Sequence, residues 1–225
     1  MSPGKLIVIE GTDGSGKATQ TALMVERLAS EGYTVKVADF PRYGKKSAAL
    51  VEEYLNGKFG GASEVSPYQA SIFYAVDRYA ASFELRQWLK EGYMVICNRY
   101  VSASMGHQAG KIKNKQERSK FIAWLEDLEY HIFNIPKPDM NILLYLPPEL
   151  GQSLVDKKGH REYLGGAHRD IHESDLTHLK EAAAAFREVA EEKKWAIIEC
   201  APGNQLKTKE DIHELIWEKV KKIVE

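Results

Sequence analysis

The sequence predicts an α/β fold, a parallel sheet wound on both faces by helices. Three observations predict it. Short apolar runs alternate with longer segments of helical periodicity along the whole chain. The first run, Lys5–Glu10, opens straight into a glycine loop, Gly11-Thr12-Asp13-Gly14-Ser15-Gly16-Lys17, which is followed by a helix. Finally, 225 residues that are 44% hydrophobic suit one domain large enough to bury a core on both faces of a sheet. We read residues 1–225 as that single domain, since no repeat, low-complexity tract or long linker divides it.

Each element has its own signal. After the loop, Thr19–Glu31 carries apolar residues at Ala22, Val25, Leu28 and Ala29 and stops at Gly32. Thr34–Ala38 reads as the second strand. Lys46–Leu55 is a short helix ended by Asn56-Gly57. Ser66-Pro67 is a good helix start, and the helix runs to about Glu91, with Gly92 as its stop. Its stripe of Ile72, Phe73, Val76, Tyr79, Ala80 and Phe83 reads as core. Tyr93–Cys97 is continuous enough in apolar character for a buried parallel strand. Val101–Gln108 is a short helix. Gln116–Phe133 is a longer one, with Phe121, Ile122, Leu125, Leu128 and Ile132 on one face. Met140–Leu146 is the fourth strand, Glu149–Val155 starts a helix, and Asp175–Lys194 is helical. Trp195–Cys200 is the fifth strand, and Asp211–Val224 closes the chain as an amphipathic helix.

Composition narrows the function. The net charge of −1 gives no bulk electrostatic case for nucleic acid or a membrane surface as partner. No apolar run approaches membrane-spanning length, and Lys5–Glu10 is too short for a signal segment. The two cysteines, Cys97 and Cys200, fall in predicted strands and read as reduced core thiols. A cytoplasmic protein is the expectation.

The glycine loop carries the first chemistry. Its spacing, G-x-x-x-x-G-K, lets backbone N–H groups cradle phosphate oxygens, and Lys17 would place its ammonium on the β- and γ-phosphates. The usual Ser or Thr after the lysine, whose hydroxyl binds Mg²⁺, is here Ala18, with Thr19 one step on. Two arginines sit where strands end, the edge where ligands bind in an open α/β sheet. Arg42, in Phe40-Pro41-Arg42-Tyr43, reads equally as a phosphate clamp or as a solvated loop residue. Arg99, in Asn98-Arg99-Tyr100, is the second. On the long helix, Phe73 and Asp77, and Tyr74 and Arg78, pair four apart, and a ring beside a guanidinium would hold a planar base; periodicity alone favours core. The polar stretch from Asp156 to His172 reads as a solvated loop or as a closing lid of about 156–172.

Taken together and in order, these motifs resemble the thymidylate kinase family of P-loop nucleoside monophosphate kinases, over nearly the whole length. The carriers are the phosphate loop with its embedded Asp13, Phe40-Pro41-Arg42-Tyr43, Phe73-x-x-x-Asp77-Arg78, Asn98-Arg99-Tyr100, Pro136-Lys137-Pro138-Asp139 and Arg169-Asp170-x-x-Glu173. The resemblance implies a five-stranded parallel sheet of order 2-3-1-4-5 with a mobile lid. It implies transfer of the γ-phosphoryl group of ATP to thymidine 5′-monophosphate (dTMP), with Mg²⁺ accompanying ATP, and a homodimer built on helices, here the Phe73 helix and the Phe121–Phe133 helix. Gly11, Gly14, Ser15, Gly16, Lys17, Ala18 and Thr19 would bind ATP. Arg42 and Arg99 would meet at the acceptor phosphate. Phe73 would stack on thymine, Arg78 would donate to a base carbonyl, and Asp13 would bind the 3′-hydroxyl. Phe40, Tyr43, Tyr100, Ser104 and His107 would complete the dTMP site, His107 near the sugar's 2′ position. The phosphate loop has no arginine, so Arg161 or Arg169 of the lid would supply charge at the transferring phosphate. Lys17, Arg99, Asp13, Arg161 and Arg169 are thus the expected catalytic set.

The chain departs from the family pattern at Ala18, at Asn98, which replaces the aspartate of a D-R-Y motif, and at His107. The first two weaken the metal shell on one side. Asp13 and Glu173 remain as carboxylates for Mg²⁺, directly or through water, and Mg²⁺ held mainly by ATP phosphates and waters is compatible with its chemistry. The alternatives are a deoxynucleoside kinase, which would want a carboxylate base for a neutral hydroxyl, and a nucleotide-binding relative that has lost catalysis.

Overall fold

The computed structural model describes residues 3–61, 64–155 and 176–225. Five strands, β1 (Lys5–Gly11), β2 (Val35–Asp39), β3 (Met94–Asn98), β4 (Met140–Tyr145) and β5 (Ala196–Glu199), form one sheet of order β2-β3-β1-β4-β5. Every neighbouring pair is parallel. Between them run α1 (Lys17–Ser30), α2 (Ala49–Leu55), α3 (Pro67–Lys90), α4 (Val101–His107), α5 (Lys115–Glu126), α6 (Pro148–Val155) and α7 (Leu176–Glu192), and α8 (Lys209–Val224) ends the chain.

The strands alternate their apolar residues between two cores. Ile7, Ile9, Ile96, Ile142 and Leu144 meet Met24 and Leu28 of α1 and Ile212, Ile216 and Val220 of α8. On the other face, Leu6, Val8, Val95 and Cys97 meet Leu85 of α3, Met105 of α4, and Phe121 and Leu125 of α5. Both faces are therefore covered, as the continuous apolar strands require. Cys97 and Cys200 are free and buried. Among the described residues no helix is long and apolar enough to cross a membrane. The α3 start has the expected cap: Ser66 accepts from the Gln69 amide, and the Gln69 side chain returns to the Ser66 amide.

Three features differ from the sequence reading. The strands β2 and β3 run one residue further, so Asp39 and Asn98 end them in register. The helix expected to reach Phe133 stops being α-helical at Glu126 and continues as a π-turn, Asp127–Ile132. The wider turn leaves Ile132 68% exposed, while Glu129, one turn after Leu125, stays fully inside. There Glu129 forms a two-pronged ion pair with Arg78, Nε to Oε2 and Nη2 to Oε1, each 2.6 Å. Finally, the α3 stripe is not core. Ile72, Val76, Tyr79 and Phe83 are exposed, Phe83 by 59%. The helix buries the opposite line instead, Ala70, Ala75, Asp77, Arg78, Ala81, Ser82 and Leu85. Periodicity reports an apolar face, not what covers it. The expected lid and the start of the helix read from Asp175 lie outside the described residues.

Replacing Glu129 by alanine would leave a buried, unpaired guanidinium. We expect a loss of about 3–5 kcal/mol in urea-induced unfolding, and Arg78→Met added to Glu129→Leu should recover most of it.

Candidate active site at the carboxyl edge of the sheet

The phosphate loop begins where β1 ends, at Gly11. Gly14 and Gly16 both take left-handed backbone, φ +81° and +88°. A side chain on Gly14 would also strike the Gly151 carbonyl oxygen at 2.2 Å, whereas Gly16 faces open space. Gly16 caps α1, whose first turn holds no acidic residue and no side-chain cap bond. The first N–H groups of α1 therefore point into an open cradle with a positive dipole end, an anion site by construction. Lys17 lies folded over the loop, its Nζ donating to the carbonyls of Gly11 and Thr12, each 2.9 Å. The hydroxyls of Thr12 and Ser15 are buried without a partner among the described residues. Ala18 and Thr19 are exposed at the start of α1.

β3 lies beside β1 with Asn98 opposite Ile9, so the turn after β3 faces the loop. Its Arg99 takes a left-handed backbone, φ +66°. The guanidinium spans two partners: Nη2 donates to Asp13 Oδ1 at 2.5 Å and Nη1 to His107 Nε2 at 2.8 Å. Arginine only donates, so His107 presents an unprotonated Nε2 and is neutral. Burial disfavours the charge of Arg99, but Asp13 and then Glu10 outweigh it and hold its pKa above the ordinary arginine value. The phenols of Tyr43 and Tyr74 act on Arg99 electrostatically as well.

Arg42 follows β2 and is clamped by Asp77 of α3. Its backbone N–H and Nε donate to the two carboxylate oxygens, at 2.8 and 3.0 Å, and Nη2 donates to Ser47 Oγ and the Asp77 carbonyl, at 2.9 and 3.2 Å. Asp77 is 1% exposed. The Nη1 edge of Arg42 carries no bond among the described residues. On the β2–β3 edge, Asn98 Nδ2 donates to Asp39 Oδ1 at 2.9 Å. Burial raises the Asp39 pKa, and Arg99, Asn98 and Lys17 oppose the rise. Glu10 is fully buried behind the loop. Burial pushes its pKa up to about 7, against the pull of Arg99 and Lys17.

The structure thus brings together Gly11, Asp13, Gly14, Ser15, Gly16, Lys17, Ala18, Thr19, Arg99 and His107, with Arg42 and Tyr43 on the adjoining strand end. It gives other expected residues to packing. Phe40 is 3% exposed and Tyr100 is buried, their rings 5.6 Å apart inside the core, with the Tyr100 hydroxyl on the Pro136 carbonyl. Phe73 packs against Tyr54 and Phe59, at 6.1 and 5.5 Å between ring centres, and Tyr74 packs edge-on against Tyr54 at 6.3 Å. Arg78 is buried, 1% exposed, with four of its five N–H groups taken. Glu129 takes two of its N–H groups, and Tyr100 O and Ser104 Oγ take two more. Asp13 is held between Arg99 and Lys17, the latter at 3.9 Å. Arg161, Arg169 and Glu173 lie outside the described residues. The sequence reading missed Glu10, Asp39 and the clamping role of Asp77. A charged residue closing an apolar strand was the available signal for Glu10.

Among the described residues no group of three or more His, Cys, Asp or Glu converges as a metal cage. The oxygen donors at the edge, Asp13, Asp39 and Asn98, are of the hard type that suits Mg²⁺ brought in on phosphates with its waters.

The raised pKa of Glu10 has a consequence for stability. Between the unfolded value of 4.5 and the folded value of about 7 the native state binds the extra proton, so stability falls as pH rises through that window. The contribution is about 3 kcal/mol. Glu10→Gln should flatten this part of the dependence of the urea midpoint on pH.

The thymidylate kinase family model matches residues 9–216. The chain is 32% identical over 187 residues to a thymidylate kinase of Mycobacterium tuberculosis, covering 82% of this chain and 85% of that one. It is 26% identical over 220 residues to the thymidylate kinase of Plasmodium falciparum, covering 98% and 91%. Among solved structures, thymidylate kinase from Candida albicans superposes with a TM-score of 0.73 at 24% identity, covering 99% of this chain and 93% of that one. With the phosphate loop, the paired strand-end arginines and this match across the fold, the chain belongs to the thymidylate kinase family.

Proposed function

We propose that this chain transfers the γ-phosphoryl group of ATP to dTMP, giving ADP and the thymidine diphosphate. The observation that carries the reading is the Arg99–Asp13 ion pair. It ties the edge where an acceptor phosphate would sit to the loop that would hold the donor. Phosphoryl transfer asks the protein for in-line positioning and for charge to offset the phosphoryl oxygens. An acceptor phosphate oxygen is already anionic and forms the new bond to Pγ as the bond to the ADP oxygen breaks, so no strong base is required.

Each group has a task in this scheme. The open N–H groups of α1 and the loop receive the donor phosphates, and Lys17 exchanges its carbonyl contacts for phosphate oxygens. Arg42, oriented by Asp77, offers its Nη1 edge to the acceptor phosphate together with Arg99. Asp13 accepts from the sugar hydroxyl, and His107 and Tyr43 flank the same space. Asp39 and Asp13 would hold the Mg²⁺ that comes with ATP, directly or through water, and the ion would supply positive charge at the donor phosphates; the resemblance assigns Glu173, outside the described residues, to the same role. Arg161 and Arg169 supply lid charge. Cys97 and Cys200, both buried and unbridged, suit a reducing, cytoplasmic setting. The exposed stripe of Ile72, Val76, Tyr79 and Phe83, with Ile132 nearby in sequence to α5, supports a homodimer through α3 and the end of α5.

An ADP-release assay with ATP, Mg²⁺ and either dTMP or thymidine tests the reaction. dTMP should be the acceptor, and turnover of thymidine alone would overturn the reading. Lys17→Ala should lower kcat by about 10²–10³-fold. Arg42→Ala should lower kcat/KM for dTMP by about 10–100-fold; an effect below twofold would remove Arg42 from the acceptor site. Phe83→Glu should convert a dimer to a monomer in light scattering, and a parent already monomeric would end the dimer proposal.

A further inference from the structure

The transfer scheme leaves Glu10 without a task, yet β1 carries it, fully buried, to the base of the phosphate loop. Its Oε1 accepts the Tyr100 N–H at 3.1 Å. Its Oε2 is equally buried and has no partner among the described residues. A bare structural carboxyl would be an expensive way to fill that space, since burying one costs unless it is compensated. One residue earlier, the Ile9 carbonyl accepts the Arg99 N–H, also at 3.1 Å. Consecutive residues of β1 therefore hold both amides of the Arg99-Tyr100 pair. Between those two bonds Arg99 takes its left-handed φ of +66°, a conformation that a non-glycine residue keeps only where the surroundings impose it.

The side chain depends on that backbone. With φ positive, the Arg99 guanidinium reaches Asp13 and His107. If the Tyr100 amide were released, the turn could relax towards negative φ and carry the guanidinium away from both. On the donor side the Glu10 carboxyl makes no hydrogen bond with Gly14, Gly16 or the α1 N-terminus, but the Gly11 amide and the charge of Lys17 also act on it. Glutamine and leucine both remove the charge that Lys17 meets, so the difference between them isolates the Tyr100 contact and, through Arg99, the acceptor phosphate.

We propose that Glu10 is a positioning residue: through the Tyr100 amide its carboxyl holds the left-handed turn that aims Arg99 at the acceptor phosphate. The inference rests on the reading that Arg99 contacts that phosphate.

Calorimetric titration of dTMP and of ADP into the full-length protein, with thermal unfolding of each variant, tests it. Glu10→Leu should weaken dTMP binding about tenfold relative to Glu10→Gln, with the ADP affinities of the two variants within about twofold of each other. Glu10→Gln, whose amide oxygen still accepts from Tyr100, should recover most of the lost dTMP affinity. Glu10→Met takes the place of the leucine variant if that one does not fold. Arg99→Ala should weaken dTMP binding about a hundredfold. If Arg99→Ala binds dTMP like the parent, the acceptor assignment falls and this proposal with it. If Arg99→Ala loses dTMP but Glu10→Leu does not, only the proposal falls. Equal losses for dTMP and ADP, or a glutamine variant as impaired as leucine, would also overturn it.

Discussion

The ion pair between Arg99 and Asp13 is the contact on which the site depends. It exists because β1 and β3 are parallel neighbours in register, so the glycine loop after one and the turn after the other face each other across the sheet edge. Both side chains are largely shielded from water, at 19% and 16% exposure. At that depth the attraction is screened less than on the surface, but the charges also lose hydration, so its main effect is to fix geometry. The loop and the strand-end turn become a single rigid unit.

The same device recurs at each cation. Lys17 rests on two loop carbonyls, Arg42 on Asp77, and Arg99 on Asp13 and His107. None of these side chains has to be ordered from a fully solvated state when phosphates arrive. Charge is held in place before it is needed, which is how a preorganised polar site acts on phosphoryl oxygens. Asp39 and Asn98 extend this edge on β2 and β3, and they put a carboxylate back beside the asparagine that departs from the family pattern.

Behind the edge lies a second charged layer with a different purpose. Arg78 and Glu129 are 1% and 0% exposed, and Ser104 and the Tyr100 carbonyl take further N–H groups of the arginine. Such a pair contributes little net stability but is costly to break. It ties α3, α4 and the π-turn together beneath the site. Glu129 follows Leu125 by four residues and stays on the inward face of α5, while Ile132, which a continuous α-helix would also have turned inward, is left exposed by the π-turn.

Much of this was legible in the sequence. Alternating periodicity specified the α/β class and located each strand to within a residue or two, though it ran the α-helix ending at Glu126 on to Phe133. The glycine spacing specified a phosphate cradle, and strand-end positions singled out Arg42 and Arg99. Local rules sufficed there because backbone conformation and strand direction are set by neighbouring residues. The fates of Phe73, Arg78, Glu10 and the α3 stripe were not legible. A ring or guanidinium on an apolar helix has the same periodicity whether it meets a ligand, a buried partner or solvent. Arg78 met Glu129 across 51 residues of chain, and Glu10 met the Tyr100 amide across 90. The sequence by itself determined which elements form and which residue types reach the ligand edge. Only the tertiary structure decided which charges pair, because pairing depends on distances between segments far apart in the chain and on how much water their packing removes.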